Sequence, residues 1–156
     1  MKPFHSPRRQ TGFSLLEVLI TVLVLGFGLL GFALLQTMNV RFVQSSNYRT
    51  QATNLAYDLI EQMRANRIQV DWYEAASFEP GTLDTETVCV PPTGEVGVQD
   101  NITQWQCQVI KALGSDAGAT VSVDGGVVDV AVTWGDQRWD PADPDKATTF
   151  SLATEL

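Results

Sequence analysis

Hydrophobic positions along the chain fall into two regimes. From Val18 to Leu35 the sequence VLITVLVLGFGLLGFALL carries no charge, and extension back to Phe13 adds only Ser14 and Glu17 as polar residues. About 23 residues of this kind are enough to span a bilayer as a helix. Beyond this block the pattern becomes periodic. Tyr48, Ala52, Leu55, Ala56, Leu59 and Met63 recur every three or four residues, while Gln51, Asp58, Glu61, Gln62 and Arg64 fall elsewhere. This predicts an amphipathic helix with one face packed on a sheet. No Pro occurs between Phe13 and Glu79, so one nearly continuous helix from Phe13 to about Asn66, roughly 80 Å long, is allowed.

After Val70 the texture changes. DWYEAASFEPGTLDTETVCVPPTGEVGVQD is rich in turn formers and acids, with Pro91 and Pro92 adjacent, and reads as a long connecting region. Ile102, Trp105, Val109 and Leu113 are spaced for one face of a short helix over Asn101 to Leu113. ATVSV-DGG-VVDVAVTW then predicts a β-hairpin, with Val128, Val130, Val132 and Trp134 alternating against Asp129, Ala131 and Thr133. A third strand near Thr148 to Ala153, after an acidic loop from Asp136 to Asp145, completes a small antiparallel sheet. The fold class is α+β: a long N-terminal helix packed on that sheet.

Length allows about one domain with a modest core. Charge adds orientation. Lys2, Arg8 and Arg9 precede the apolar block, whereas from Arg41 onward 17 acidic residues face 7 basic ones. The positive-inside rule leaves Met1 to Gly12 in the cytoplasm and carries the chain after about Gln36 across the membrane. A secretory signal would end in a small-x-small cleavage site, but QTMNVRF follows Leu35. An acidic exported part disfavours nucleic acid as a partner. The expected organisation is a leader at 1–12, a membrane or filament-core helix at 13–35, its amphipathic continuation at 36–67, and a variable and β-sheet region at 68–156.

Glu17 is the informative position. A carboxylate four residues into a membrane helix costs about 2.5 kcal/mol or more near the bilayer centre, and less toward the interface. One reading is an interfacial side chain that takes up a proton or snorkels to the headgroups; the other needs a partner cation. The local string RRQTGFSLLEVLI, with basic residues, Gly12, Phe13, Glu17 and then an unbroken apolar helix, resembles the leader and class III signal of type IV prepilins. The resemblance implies that a prepilin peptidase cuts between Gly12 and Phe13 and methylates the new amine of Phe13. It also implies a register role for Glu17, pairing with the Phe13 ammonium of a neighbouring subunit in a low-dielectric filament core.

The segment QATNLAYDLIEQMRANR, the stretch Asp100 to Trp105 and the strand VDVAVTW resemble PilV-type minor pilins. The chain departs from major pilins in having Leu34 near where their membrane helix usually carries a Pro. The implied work is initiating or modifying type IV pilus assembly, with other minor pilins, the major pilin, the prepilin peptidase and the inner-membrane platform as partners. The implied location is the inner membrane, with the C-terminal domain periplasmic, and then the pilus. A type II secretion pseudopilin shares the same leader and helix. A ligand-binding pilin or adhesin, for DNA or a surface receptor, should offer a basic or aromatic patch, and this chain offers mostly acid. Gly26, Gly28 and Gly31 either let helices pack closely or mark a stretch that unwinds in a stretched filament.

Cys89 and Cys107 are the only cysteines, and in an oxidising compartment a disulfide between them is the default. His5, the lone histidine, lies in the leader, so Ser-His, Cys-His and His-rich metal sites cannot be assembled in the mature chain. No catalytic residue, metal or cofactor is expected. Asp140, Asp143 and Asp145 could offer oxygen ligands to Ca²⁺, but their spacing is not that of an EF-hand and a solvated acidic loop is favoured. Trp134 reads as core and Trp139 as a buried loop residue rather than a ligand platform.

Overall fold

The computed structural model describes residues 12–136 and 147–156. The chain divides into two units, residues 1–42 and 43–156. Helix α1, Leu15–Ala65, supplies the described helix of the first and opens the second. It begins one residue after Ser14, whose carbonyl accepts the amides of Glu17 and Val18 at 3.0 and 3.2 Å and whose hydroxyl accepts the amide of Leu16 at 3.3 Å. Ser14 therefore satisfies donors that a helix start leaves open.

Within the second unit, α1 buries Ala52, Ala56, Leu59, Ile60 and Met63, with Tyr48 and Leu55 packed alongside. This is the predicted face widened by Ile60, which the three-or-four spacing passed over. The segment expected to be a long connection is instead largely ordered. A 3₁₀ segment over Arg67–Ala76, interrupted at Gln69, buries Tyr73 and Ala76. The Tyr73 hydroxyl accepts from the Asn66 side chain at 2.9 Å, which locks the turn after α1. Helix α2, Thr85–Val88, starts at Asp84, whose carboxylate accepts the Glu86 amide at 3.2 Å. Turn-forming composition concealed these pieces because each is short and held by tertiary contacts rather than by propensity.

Helix α3, Val98–Leu113, begins three residues before the expected start. Gly97 has no side chain to cap with, but its N–H donates to Asp100 Oδ2 at 2.8 Å, so the first turn is fixed from one side. Its buried face contains Ile102, Trp105, Val109 and Leu113 as expected, and adds Val98, Cys107 and Ile110.

The sheet runs β1 (Gly118–Asp124), β2 (Val127–Gly135) and β3 (Ala147–Glu155), in the order β1-β2-β3 with both pairings antiparallel. Asp124 pairs with Val127, so the hairpin turn consists of Gly125 and Gly126, with φ of 58° and 91°. Two consecutive positive φ values are what a type I′ turn demands and what glycine tolerates. Val128, Val130, Val132 and Trp134 all point into the core at 1% exposure or less. Gly118 is required for a different reason: a Cβ there would meet Pro80 Cδ at 2.7 Å. The second unit is thus α+β, with helices and sheet sharing one hydrophobic cluster, matching the pilin-like fold expected from the pattern.

Candidate functional site

Gly12, Phe13 and Glu17 lie at the start of α1. Gly12 and Phe13 precede the helix, and Glu17 falls in its first turn, where a carboxylate opposes the positive end of the helix dipole. Phe13 and Glu17 are both solvent-exposed in the single chain. Between Glu17 and Arg41 the helix carries no charge. Its most apolar window has a mean hydropathy of 2.7 and none of it is buried within the chain. By length and composition this helix can cross a membrane, and water is a poor solvent for it because so many Leu, Val and Phe side chains are uncovered. At Gly26, Gly28 and Gly31 nothing lies within 4 Å of where a Cβ would stand.

In the second unit, Cys89 and Cys107 form a disulfide with a Cα–Cα distance of 5.0 Å. It joins the end of α2 to the middle of α3. Cys107, Val88 and Ile110 make a small second cluster with Phe78, Leu83 and Cys89 against it. The bridge therefore ties the irregular segment before α3 onto that helix.

The open end of the sheet holds a polar contact that sequence reading missed. Asp136, at 8% exposure, accepts from Ser45 Oγ at 2.8 Å, and Thr148 Oγ1 approaches the same oxygen at 3.5 Å. Ser45 and Asp136 are 91 residues apart, and nothing in local patterning couples them. Trp134 is core. His5, Trp139, Asp140, Asp143 and Asp145 lie outside the described residues. Among the described residues no three His, Cys, Asp or Glu side chains gather as a metal site would require.

A family model, the prokaryotic N-terminal methylation motif, matches residues 7–33. That span contains Gly12, Phe13, Glu17 and most of the apolar stretch. No curated protein and no solved structure matches the chain. The motif and the apolar helix together indicate membrane anchoring and point to a structural subunit of a pilus or secretion assembly rather than to an enzyme. The chain thus carries a prokaryotic N-terminal methylation motif of the prepilin type on a pilin-like α+β fold, consistent with the type IV pilin family and its pseudopilin relatives.

Proposed function

We propose that the chain is a minor pilin of the PilV type, a non-enzymatic subunit that helps to initiate or modify type IV pilus assembly. The observation that carries this reading is the methylation motif over residues 7–33 placed directly on an uncovered apolar helix whose first turn holds Glu17. In this reading a prepilin peptidase on the cytoplasmic face cuts between Gly12 and Phe13, removing the leader at 1–12, and the Phe13 amine is methylated. The C-terminal domain lies on the periplasmic side until the chain is extracted into the filament.

The physical logic is a change of solvent. Moving α1 from lipid into a bundle of other apolar helices exchanges lipid contacts for helix contacts, and an ammonium at Phe13 then gives Glu17 of the adjoining subunit a partner. A buried ion pair adds little net stability, yet a register shifted by one turn would leave both charges unpaired at a large penalty. Glu17 therefore selects register. Partners in this reading are the major pilin, other minor pilins and the inner-membrane platform.

A type II secretion pseudopilin would use the same motif and helix. Deleting the gene and scoring surface pili beside exoprotein secretion separates the two. Loss of pili with normal secretion supports the minor pilin; loss of secretion with normal pili assigns the chain to the secretion system instead.

A further inference from the structure

Residues 81–97, which lead into α3, form a strap that contributes little to the core. Val88 is its one buried residue, Leu83 and Cys89 are half-buried, and everything from Val90 to Gly97 is exposed. None of these residues belongs to the main hydrophobic cluster or packs against it. Their apolar contacts lie in the small cluster where Leu83, Val88 and Cys89 meet Phe78, Cys107 and Ile110. The backbone bonds are local as well. The amides of Thr87, Val88 and Cys89 donate to the carbonyls of Asp84 and Thr85 at 3.2, 3.0 and 3.1 Å. At the near end the Gly81 amide is anchored on the Ser115 carbonyl at 3.1 Å, and at the far end Gly97 is held by Asp100 in the first turn of α3. One valine and part of a leucine cannot offset the conformational entropy lost in ordering a strap of this length. What keeps it in place between the anchors is the bond from Cys89 to the middle of α3.

That bond is also within reach of a reagent. Cys89 and Cys107 line an open cleft of about 290 Å³, walled by Pro91 and Pro92 of the strap and by Gln104 and Lys111 of α3. Cys107 is buried and Cys89 half-buried, so a thiolate entering the cleft has the Cys89 sulfur as its target and Cys107 Sγ as the leaving group.

We propose that the Cys89–Cys107 bond is a redox latch: the core of the second unit forms without it, and its closure orders the strap and builds the cleft. In opening, one thiolate of a dithiol reductant attacks Cys89 Sγ, forming a mixed disulfide and expelling the Cys107 thiolate, which takes up a proton. The second thiol of the reductant then displaces Cys89. Two electrons and two protons have passed to the chain, and the reductant leaves as a disulfide. Closure is the same exchange run in reverse against a disulfide oxidant. With the latch open, the strap moves away from α3 between its two anchors and uncovers Ile110 and Phe78. The exposed side chains of Val90 and Val96 hold fixed positions on the oxidised chain alone. The latch does not depend on the filament reading: it acts in any compartment that supplies the disulfide oxidant.

The test uses the full chain in detergent and a glutamyl endopeptidase, which cuts after Glu86 in α2 and after Glu61 in α1, each rate scaled to that of the same site in urea. Both side chains are exposed in the folded chain, so opening of the backbone decides the cutting. Dithiothreitol should raise the rate after Glu86 at least about tenfold and leave it at least about tenfold above the rate after Glu61, because proteolysis follows the population of the locally opened form. Oxidised glutathione should then restore the original rate, and Cys89→Ser with Cys107→Ser should match the reduced chain without any reductant. Unchanged cutting after Glu86, with reductant or in the double variant, would show that side-chain packing holds the strap. Equal scaled rates after Glu61 and Glu86 would show that the bridge holds the whole domain. Either result overturns the proposal, as does a reduced chain that oxidised glutathione fails to protect again.

Discussion

Trp105 donates its indole N–H to the backbone carbonyl of Leu55 at 2.9 Å, tying the buried face of α3 to the buried face of α1 across 50 residues of sequence. Both ends of the contact are in the second unit. A tryptophan that is fully buried yet hydrogen-bonded both fills the core and fixes the rotation of α3 against α1. Trp105→Phe should destabilise the domain by about 1–2 kcal/mol through the lost bond and a small void, and Trp105→Ala by about 3–5 kcal/mol. Urea unfolding of the detergent-solubilised chain, followed by fluorescence of the remaining tryptophans, measures both. Equal effects from the two substitutions would show that packing of the six-membered ring contributes nothing.

The Cys89–Cys107 bridge closes a separation of 18 residues. Removing it, as Cys89→Ser with Cys107→Ser, should lower stability by about 3 kcal/mol on the chain-entropy estimate. Non-reducing peptide mapping of periplasmic material should show one linked pair. Two alkylatable thiols there would contradict this placement of the bridge.

Gly118 faces Pro80 so closely that a methyl group cannot be added without movement. Gly118→Ala should cost about 1–3 kcal/mol by overpacking. Pro80→Ala should recover part of that loss when the two are combined, although alone it removes packing. Strict additivity in the double mutant would mean that the two sites do not meet.

Ser45 and Asp136 join the part of α1 that lies in the second unit to the end of β2. Asp136 Oδ1 is buried and has no hydrogen-bond partner among the described residues, so Oδ2 bears most of the satisfaction described for this side chain. Ser45→Ala should destabilise by about 1–3 kcal/mol, well above an ordinary surface serine. Thermal unfolding of the detergent-solubilised chain provides the comparison, with Ser46→Ala as reference. Similar midpoints for the two variants would contradict the role given to the contact.

How far the sequence was readable follows the range of each interaction. Val128, Val130, Val132 and Trp134 alternate within nine residues, and Gly125 with Gly126 supplies the turn, so the hairpin was legible from local pattern. The α1 face was legible for the same reason, apart from Ile60. The 3₁₀ segment and α2 were not: Tyr73, Ala76 and Phe78 are placed by contacts with α3 and β1 rather than by period. Asp84 before TETV was a cap signal that could have located α2. Closure of the β1 edge by Glu74, Ser77 and Phe78, and the Ser45–Asp136 contact, join residues 41 to 91 positions apart, and no local signal encodes such pairs. Glu17 stood out because a charge at the start of an apolar stretch is conspicuous, whereas Gly12 and Phe13 were singled out by the resemblance to the prepilin signal.

Glu17 distinguishes an intrachain role from an intersubunit one. Phe13 and Glu17 are four residues apart, so a pair within one chain is geometrically possible. If the pairing is between subunits, Glu17→Ala leaves the precursor inserted and still cut after Gly12, and lowers its recovery in sheared filaments at least about tenfold, since a neighbour's ammonium is left buried alone. Immunoblots of purified pili measure the recovery. Normal incorporation would remove Glu17 from the assembly mechanism.

The central claim, that the chain is processed as a prepilin, is tested most directly by intact-mass analysis of the protein extracted from membranes. The account predicts a mature chain beginning at Phe13 and carrying one additional methyl group. A chain still beginning at Met1 or Lys2 in a strain with active prepilin peptidase would contradict it.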